Sequence, residues 1–236
     1  MSEQKKTEKT GRIKDFARGN GVQLVGIAPV ERFAKAPKGF NPKDIMPDAR
    51  SVIVIGKCFP RGVLNARSKG AVTKAYEMVF DALDRCAYEM SVFIETLDGR
   101  AVPVPADAPY SFWDAERQHG QGDLSHRHAA VLAGLGSLGK NALLLTPEFG
   151  NCVNLTSILT SLSLEADPLF EEDLCISDCD RCIESCPGKA INSDGTVDQK
   201  ACRAFHSIVT PRGFKLFACW ECRRVCPVKG TMIRNK

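Results

Sequence analysis

Eight of the eleven cysteines in this 236-residue chain lie close together near its C-terminal end. Two runs, CISDCDRCIESCP and CWECRRVCP, each end in Cys-Pro, and one more cysteine precedes the second run by sixteen residues. The eight cysteines are Cys175, Cys179, Cys182, Cys186, Cys202, Cys219, Cys222 and Cys226. Thiolates are soft ligands that select zinc and iron–sulfur clusters. In a reducing compartment, so many cysteines indicate metal binding rather than disulfide bonds.

The C-x2-C-x3-C-P core of both runs resembles the bacterial ferredoxin signature for two [4Fe–4S] clusters. In that pattern a tight loop supplies three thiolates to a cluster and the other run supplies the fourth. The resemblance therefore implies two ligand sets. The first set is Cys175, Cys179, Cys182 and Cys226, and the second set is Cys186, Cys202, Cys219 and Cys222.

The first run departs from the regular spacing at one position. Three residues, not two, separate Cys175 from Cys179, and Ile176 occupies the regular ligand position. We expect a bulge in the loop to keep Cys175 as a ligand. The alternative is a pair of structural zinc sites, since C-x2-C pairs also suit tetrahedral zinc. The Cys-Pro endings and the order of eight ligands favour iron–sulfur clusters.

The composition is that of a globular protein, with 44% hydrophobic and 25% charged residues. No apolar stretch approaches the roughly 18 residues that a membrane span needs. The N-terminal sequence MSEQKKTEKTGRIKD has no apolar signal core, so we expect a cytoplasmic protein with no membrane partner.

The net charge of +4 is unevenly distributed. Residues 165–198 contain ten acids and two bases, whereas residues 199–236 contain nine bases and one acid. Two interpretations stay open: the halves of the cysteine-rich region face each other, or a basic face near Arg212, Lys215, Arg223 and Arg224 docks an electron donor or an anionic substrate. No nucleic-acid motif is present, so a nucleic-acid partner is not expected.

Hydrophobic patterning predicts an α/β (α+β) domain over residues 1–165, followed by a ferredoxin-like module over residues 166–236. SVIVIG, residues 51–56, predicts a strand buried on both faces. Residues 71–97 have the apolar spacing of a long helix, and residues 153–162 predict another buried strand. Residues 1–10 are expected to form a tail.

Residues 105–124 predict an irregular loop of the length typical of an active-site lid or wall. Asp107 in this loop is a candidate proton donor for a reductive reaction, although a loop aspartate commonly caps a turn. His126 and His128 follow the loop at the start of a predicted helix. They either contact an anionic group or are solvated residues at the start of the helix.

Gly134, Gly136 and Gly139 form a G-x-G-x-x-G pattern. A nucleotide-binding loop requires a strand before the glycines and a helix after them, and here the predicted order is reversed. We expect the glycines to permit sharp turns and the close approach of a flat ligand.

The segment A-G-L-G-x-x-G-K-x-x-L-L, a following strand and the double Cys-Pro module resemble epoxyqueuosine reductase and the catalytic core of reductive dehalogenases. The resemblance implies a nitroreductase-like N-terminal domain that binds cobalamin and receives electrons from two clusters. It implies that Gly134, Gly136, Gly139 and Lys140 line the corrinoid cavity. It also implies that Asp107, in an Asp-Ala-Pro turn similar to the family's D-S-A-P turn, is the general acid.

Two departures from this family bear on the substrate. The segment TKAYEMVFDALDR retains only Tyr76 of a motif that family members carry at the start of their long helix. The residues that carry the resemblance include no counterpart of the C-terminal helical repeats with which some family members hold tRNA. We therefore expect a substrate other than epoxyqueuosine.

Two functions follow from these observations. The first is an anaerobic iron–sulfur reductase that takes electrons from a low-potential donor, a ferredoxin or flavodoxin, and acts on a small molecule or a partner enzyme. The second is an electron-transfer module that reduces a partner corrinoid protein or flavoenzyme. A polar pocket under residues 105–124 favours the enzyme, whereas filling by Tyr110, Phe112 and Trp113 favours the module.

Overall fold

The computed structural model describes residues 3–109 and 111–231. Its helices are α1 (Glu3–Gly19), α2 (Pro42–Ile45), α3 (Arg61–Leu64), α4 (Lys69–Glu95), α5 (His126–Leu132), α6 (Arg181–Glu184), α7 (Gln199–His206) and α8 (Glu221–Arg224), with a 3-10 helix at Val30–Phe33. Its strands are β1 (Leu24–Pro29), β2 (Ser51–Cys58), β3 (Ala101–Val104), β4 (Phe112–Asp114), β5 (His119–Gln121), β6 (Ser137–Leu138), β7 (Leu144–Leu145), β8 (Val153–Thr160), β9 (Ser207–Val209) and β10 (Lys215–Phe217).

The principal sheet has the order β1-β2-β8-β3 and is antiparallel throughout. Ile53 in β2 pairs with Ile158 in β8, and both pack into the core under α1 and α4. Val52 and Val54 point to the opposite face, where α5 covers them. Burial of both faces explains why the sequence of β2 is apolar at successive positions instead of alternating.

Helix α4 confirms the predicted long helix. The Ser68 hydroxyl caps its first turn by accepting a hydrogen bond from the Ala71 amide at 3.2 Å. Leu83 and Met90 are fully buried against the sheet. None of the described helices combines the length and the apolarity needed to cross a membrane.

The expectation of a tail at residues 1–10 is wrong for the described part of that segment. Helix α1 already begins at Glu3. Thr10 is buried, and its hydroxyl accepts a hydrogen bond from the Glu165 amide at 2.9 Å. The helix is therefore fixed by a contact with a segment that is distant in sequence, which local patterning does not reveal.

The cysteine-rich region after residue 165 contains little regular structure. Helices α6 and α8 have four residues each, and no residue of α7 is buried. The region is attached to the rest of the chain by side-chain hydrogen bonds. Among them, Asn151 Nδ2 donates to the Arg223 carbonyl at 3.1 Å, and Trp220 Nε1 donates to the Leu64 carbonyl at 2.8 Å.

Candidate functional site

The four cysteines of the first set lie around one partly open cavity. The cysteines in its wall are Cys175, Cys179, Cys182 and Cys226, which come from both runs. Cys182 and Cys226 are buried. Within the described ranges no three Cys, His, Asp or Glu side chains converge on a point that would hold a single metal ion. A cubane needs thiolates around a space, so this donor set fits a [4Fe–4S] cluster. That the cavity holds one stays a prediction.

The local backbone explains how the irregular spacing keeps Cys175 at the cavity. The Cys179 amide donates to the Ile176 carbonyl at 3.1 Å, which closes a tight turn. The Ile176 side chain is 52% exposed and lies at the wall of the same cavity. Asp173 Oδ1 accepts a hydrogen bond from the Cys175 amide at 2.9 Å. The turn thus accommodates the additional residue and keeps both Cys175 and Cys179 at the cavity.

The second set also comes together in space. Burial raises the pKa of the Cys222 thiol to about 11, and the charges of Cys202 and Cys219 contribute to the rise. Burial likewise raises the pKa of Cys202, with further contributions from Cys186 and Cys219. The Ala190 amide donates a hydrogen bond to Cys186 Sγ at 3.3 Å. The thiols therefore influence one another as a group, although their role as cluster ligands stays a prediction.

The predicted proton donor Asp107 is exposed, and the backbone immediately before it is fixed. The Ala106 amide donates to Asp84 Oδ1 on α4 at 2.8 Å. The Pro105 carbonyl accepts a hydrogen bond from His126 Nε2 at 2.8 Å. The Asp107 carboxylate therefore follows a backbone segment that two hydrogen bonds hold in place, and it is accessible to protons from solvent.

His126 is not the solvated helix residue that the sequence allowed. Its Nε2 must donate to the Pro105 carbonyl, so its Nδ1 accepts from the Ser157 hydroxyl at 2.9 Å. Burial lowers the pKa of His126, and the hydrogen bond to Pro105 opposes this effect. The neutral ring therefore fastens the segment before Asp107 to β8.

Asp107 also lies near the helix that carries Cys202. Burial lowers the pKa of His206 at the end of α7, and the negative charge of Asp107 partly opposes that shift. The His206 ring stacks edge-on against Phe217, with ring centroids 4.8 Å apart. The candidate acid and the second cysteine set thus belong to one neighbourhood.

Part of the loop predicted at residues 105–124 forms a hairpin of β4 and β5 that docks on α7. Gln199 makes two hydrogen bonds with the backbone of Gly120, both at 3.0 Å. The Arg203 guanidinium lies 4.9 Å from the centre of the Trp113 ring. Phe112 and Trp113 are almost half exposed, so they lie on the surface and do not fill a cavity. Tyr110 lies outside the described residues.

Tyr76 is a core residue at the junction between α4 and the cysteine-rich region. Its ring lies 4.4 Å from that of Phe59 and 4.8 Å from that of Phe217. Burial raises the pKa of the Tyr76 hydroxyl, and the nearby charge of Arg223 opposes the rise. The aromatic contacts hold the two regions together.

The glycines and Lys140 contact protein groups. A Cβ on Gly134 would overlap the Pro168 carbonyl, and one on Gly136 would overlap the Leu145 carbonyl. Lys140 Nζ donates to the Ser177 carbonyl at 2.6 Å and pairs with Asp180 at 2.8 Å. Gly139 and Lys140 also line the cavity around which the first cysteine set lies. Their contact with cobalamin by another face stays a prediction.

Three polar residues that the sequence analysis did not assign to the site hold the second cysteine run in place. Asn141 Nδ2 donates to the Cys222 carbonyl at 3.1 Å. Asn151 and Arg223 exchange hydrogen bonds with each other's backbone carbonyls. The only signal in the sequence is the presence of asparagine next to apolar runs, which is compatible with many surface positions.

The chain is similar in sequence to enzymes named epoxyqueuosine reductase. No family model matches the chain. Epoxyqueuosine reductase of Bacillus cereus is 30% identical over 212 residues, which cover 80% of this chain and 51% of that protein. The predicted resemblance is thereby confirmed. The chain spans about half the length of this curated relative, which is an enzyme.

Solved structures share the fold. An epoxyqueuosine reductase crystallised with an epoxyqueuosine-modified tRNA-Tyr stem loop has a TM-score of 0.67 and 21% identity, covering 94% of this chain and 65% of that one. A reductive dehalogenase described as B12-dependent has a TM-score of 0.68 and 19% identity, covering 97% of this chain and 33% of that one. The predicted mixed α/β fold is confirmed at this level. The tRNA stem loop is a ligand of the first of these proteins, and the expectation that this chain has no nucleic-acid partner stays a prediction.

Proposed function

We propose that this chain is an iron–sulfur oxidoreductase of the corrinoid-dependent type, in which two [4Fe–4S] clusters pass electrons to a substrate near Asp107. The observation that carries the proposal is the cavity walled by Cys175, Cys179, Cys182 and Cys226, with the second set beside it. A low-potential ferredoxin or flavodoxin in the cytoplasm supplies the electrons. A bound corrinoid would supply the cobalt centre that delivers them to the substrate.

The residues of the chain have separate tasks in this proposal. The cysteines hold clusters that accept and release one electron at a time. Asp107 donates the proton that accompanies reduction of an organic substrate, and its exposure allows reprotonation from solvent. His126 and Asp84 hold the backbone before Asp107 in position. The nitroreductase-like domain over residues 1–165 and the ferredoxin-like module over residues 166–236 are the corresponding units.

A first experiment tests the cofactors directly. Chain reconstituted anaerobically with iron and sulfide is titrated with cobalamin, and binding is followed by visible absorption and cobalt EPR. Analysis of iron and sulfide that gives two clusters per chain, together with a base-off spectrum at stoichiometric binding, supports the proposal. A chain that assembles no cluster overturns it.

Substitution of the candidate acid tests the reaction. Asp107→Asn retains both clusters and lowers turnover by about a hundredfold or more, because the proton donor is lost. The probe is an epoxyqueuosine-modified tRNA stem loop, the ligand of one solved relative, and its turnover by the wild-type chain would overturn the expectation of a different substrate. Asp81→Asn, which alters an exposed carboxylate on α4, is the matched control and leaves turnover unchanged. Equal turnover of both variants would remove Asp107 from the mechanism.

The second candidate is an electron-transfer module that reduces a partner corrinoid protein or flavoenzyme. The aromatic packing of Tyr76 against Phe59 and Phe217 favours it, because these side chains occupy the junction where the two regions meet. Two intact clusters with no spectral response to cobalamin would select this function.

A further inference from the structure

Arg223 is the only charged side chain in the buried class among the described residues, with 7% of its surface exposed. It follows Cys222 directly in α8. Its guanidinium donates hydrogen bonds to the carbonyls of Asn151 and Val153 at the start of β8. It also lies beside the Tyr76 hydroxyl. The positive charge is therefore held at the junction of the sheet and the second cysteine run.

This buried cation has hydrogen-bond partners but no anionic one. Within residues 3–109 and 111–231, no carboxylate lies within ion-pair distance of Arg223. The neighbouring Arg224 differs, since it is exposed and pairs with Glu221 at 2.6 Å. Buried charges are normally paired with an opposite charge, and carbonyl and hydroxyl dipoles compensate only part of the desolvation. A counter-anion is therefore expected close to Arg223.

The thiols beside Arg223 are the groups that become anionic when a cluster is bound. A [4Fe–4S] cluster with four cysteine thiolates is a dianion when oxidised and a trianion after it accepts one electron. A fixed positive charge stabilises the trianion more than the dianion, because the attraction grows with the charge. Net charge around a cluster is one of the factors that set its reduction potential.

We propose that Arg223 is the buried counter-charge of the cluster held by the second cysteine set and raises the reduction potential of that cluster. The proposal rests on the proposed two-cluster function and deepens it by assigning a residue that tunes one of the two clusters. Arg223 is a positioning residue in this account, since it acts through the cluster.

The test is an anaerobic redox titration of the cluster-loaded chain, followed by EPR of the reduced clusters. Arg223→Met removes the charge and lowers the midpoint potential of one cluster by at least 59 mV, a tenfold change in a one-electron equilibrium. Arg224→Gln is the matched control, since that charge is exposed and already paired, and it leaves both midpoints unchanged.

Arg223→Lys separates the charge from the hydrogen bonds. Lysine keeps the positive charge but lacks the planar guanidinium whose Nη1 donates to both carbonyls. The proposal expects the Lys variant to melt at a lower temperature and to retain a midpoint near that of the wild type. A purely structural role predicts that the midpoint of assembled Arg223→Met equals that of the wild type, and this result overturns the proposal.

Two further outcomes complete the test. If Arg223→Met does not assemble both clusters, Arg223→Lys provides the test. A midpoint potential more than 59 mV below that of the wild type, a tenfold change in a one-electron equilibrium, contradicts the proposed counter-charge. If the wild-type chain itself binds no second cluster, the proposed function fails. If both clusters are present and Arg223→Met has the midpoint potential of the wild type, only the proposed role of Arg223 is refuted.

Discussion

The sheet region and the cysteine-rich region of this chain are stabilised in different ways. The sheet region buries large apolar side chains on both of its faces, including Ile53, Leu83 and Ile158. Complete burial of each such side chain contributes about 1.5–3 kcal/mol. In the cysteine-rich region α7 buries no side chain at all. We expect the hydrophobic effect to be sufficient for the first region and the second region to depend on what its cysteines bind.

Among the changes that test this difference between the two regions, removal of one predicted cysteine ligand is expected to have the largest effect. Cys226→Ser deletes a thiol from the wall of the cavity that the first cysteine set lines, so we expect loss of the first cluster and of ordered structure around it. Iron analysis and hydrogen exchange measure the two losses. Exchange accelerates in residues 175–226, while β2 and β8 stay protected.

The matched control is Cys86→Ser, which alters a buried cysteine on α4 that belongs to neither ligand set. It retains the full iron content. If Cys226→Ser retains both iron and protection, the dependence of the second region on its cysteines is refuted.

A core substitution tests the other half of the comparison. Leu83→Ala leaves a cavity under the sheet and is expected to lower the free energy of unfolding by about 2–5 kcal/mol. Urea denaturation followed by circular dichroism measures this loss. Met78→Ala on the same helix changes a side chain that is 61% exposed, and its effect stays within about 0.5 kcal/mol. Equal losses in the two variants would contradict the proposed core.

The pH dependence of stability gives the smallest effect. Burial lowers the pKa of His126 below its ordinary value of 6.5, so the unfolded chain binds a proton more readily than the folded chain. The stabilisation is complete above pH 6.5 and is lost as the pH falls toward the folded pKa. His126→Phe removes this dependence and costs about 1–3 kcal/mol, because the Pro105 carbonyl and Ser157 hydroxyl lose their partner.

Thermal unfolding between pH 5 and pH 8 checks that expectation. His119→Gln, on the hairpin, is the control and keeps the slope of the wild type. A wild-type slope in His126→Phe would show that another group carries the dependence.

Secondary structure that depends on short-range patterns could be predicted from the sequence. Apolar succession predicted β2, and helical spacing predicted α4, because both depend on neighbouring residues in the chain. Cysteine spacing predicted a set of four that the structure brings to one cavity. The assignment of each thiol to a cluster still awaits a test.

Contacts between segments that are distant in the chain could not be predicted from the sequence. Gly134 looked like a position for a flat ligand, but its close neighbour is the backbone of Pro168. His126 looked solvated until β8 and Pro105 were seen to enclose it. Arg223 looked like part of a basic surface, whereas β8 and α4 bury it. Each of these environments is created by tertiary packing, which a single sequence does not encode locally.

The shared cavity has a consequence for biosynthesis. Its wall joins Cys182 to Cys226, and a ribosome produces Cys226 only after the hairpin, α7 and α8 have been synthesised. The strands of the main sheet precede both residues, so this sheet can fold while the cavity is still incomplete. In the proposed two-cluster protein, the first cluster can therefore be completed only after Cys226 has been synthesised. A nascent chain that stalls before Cys226 would leave its first three thiols open to oxygen.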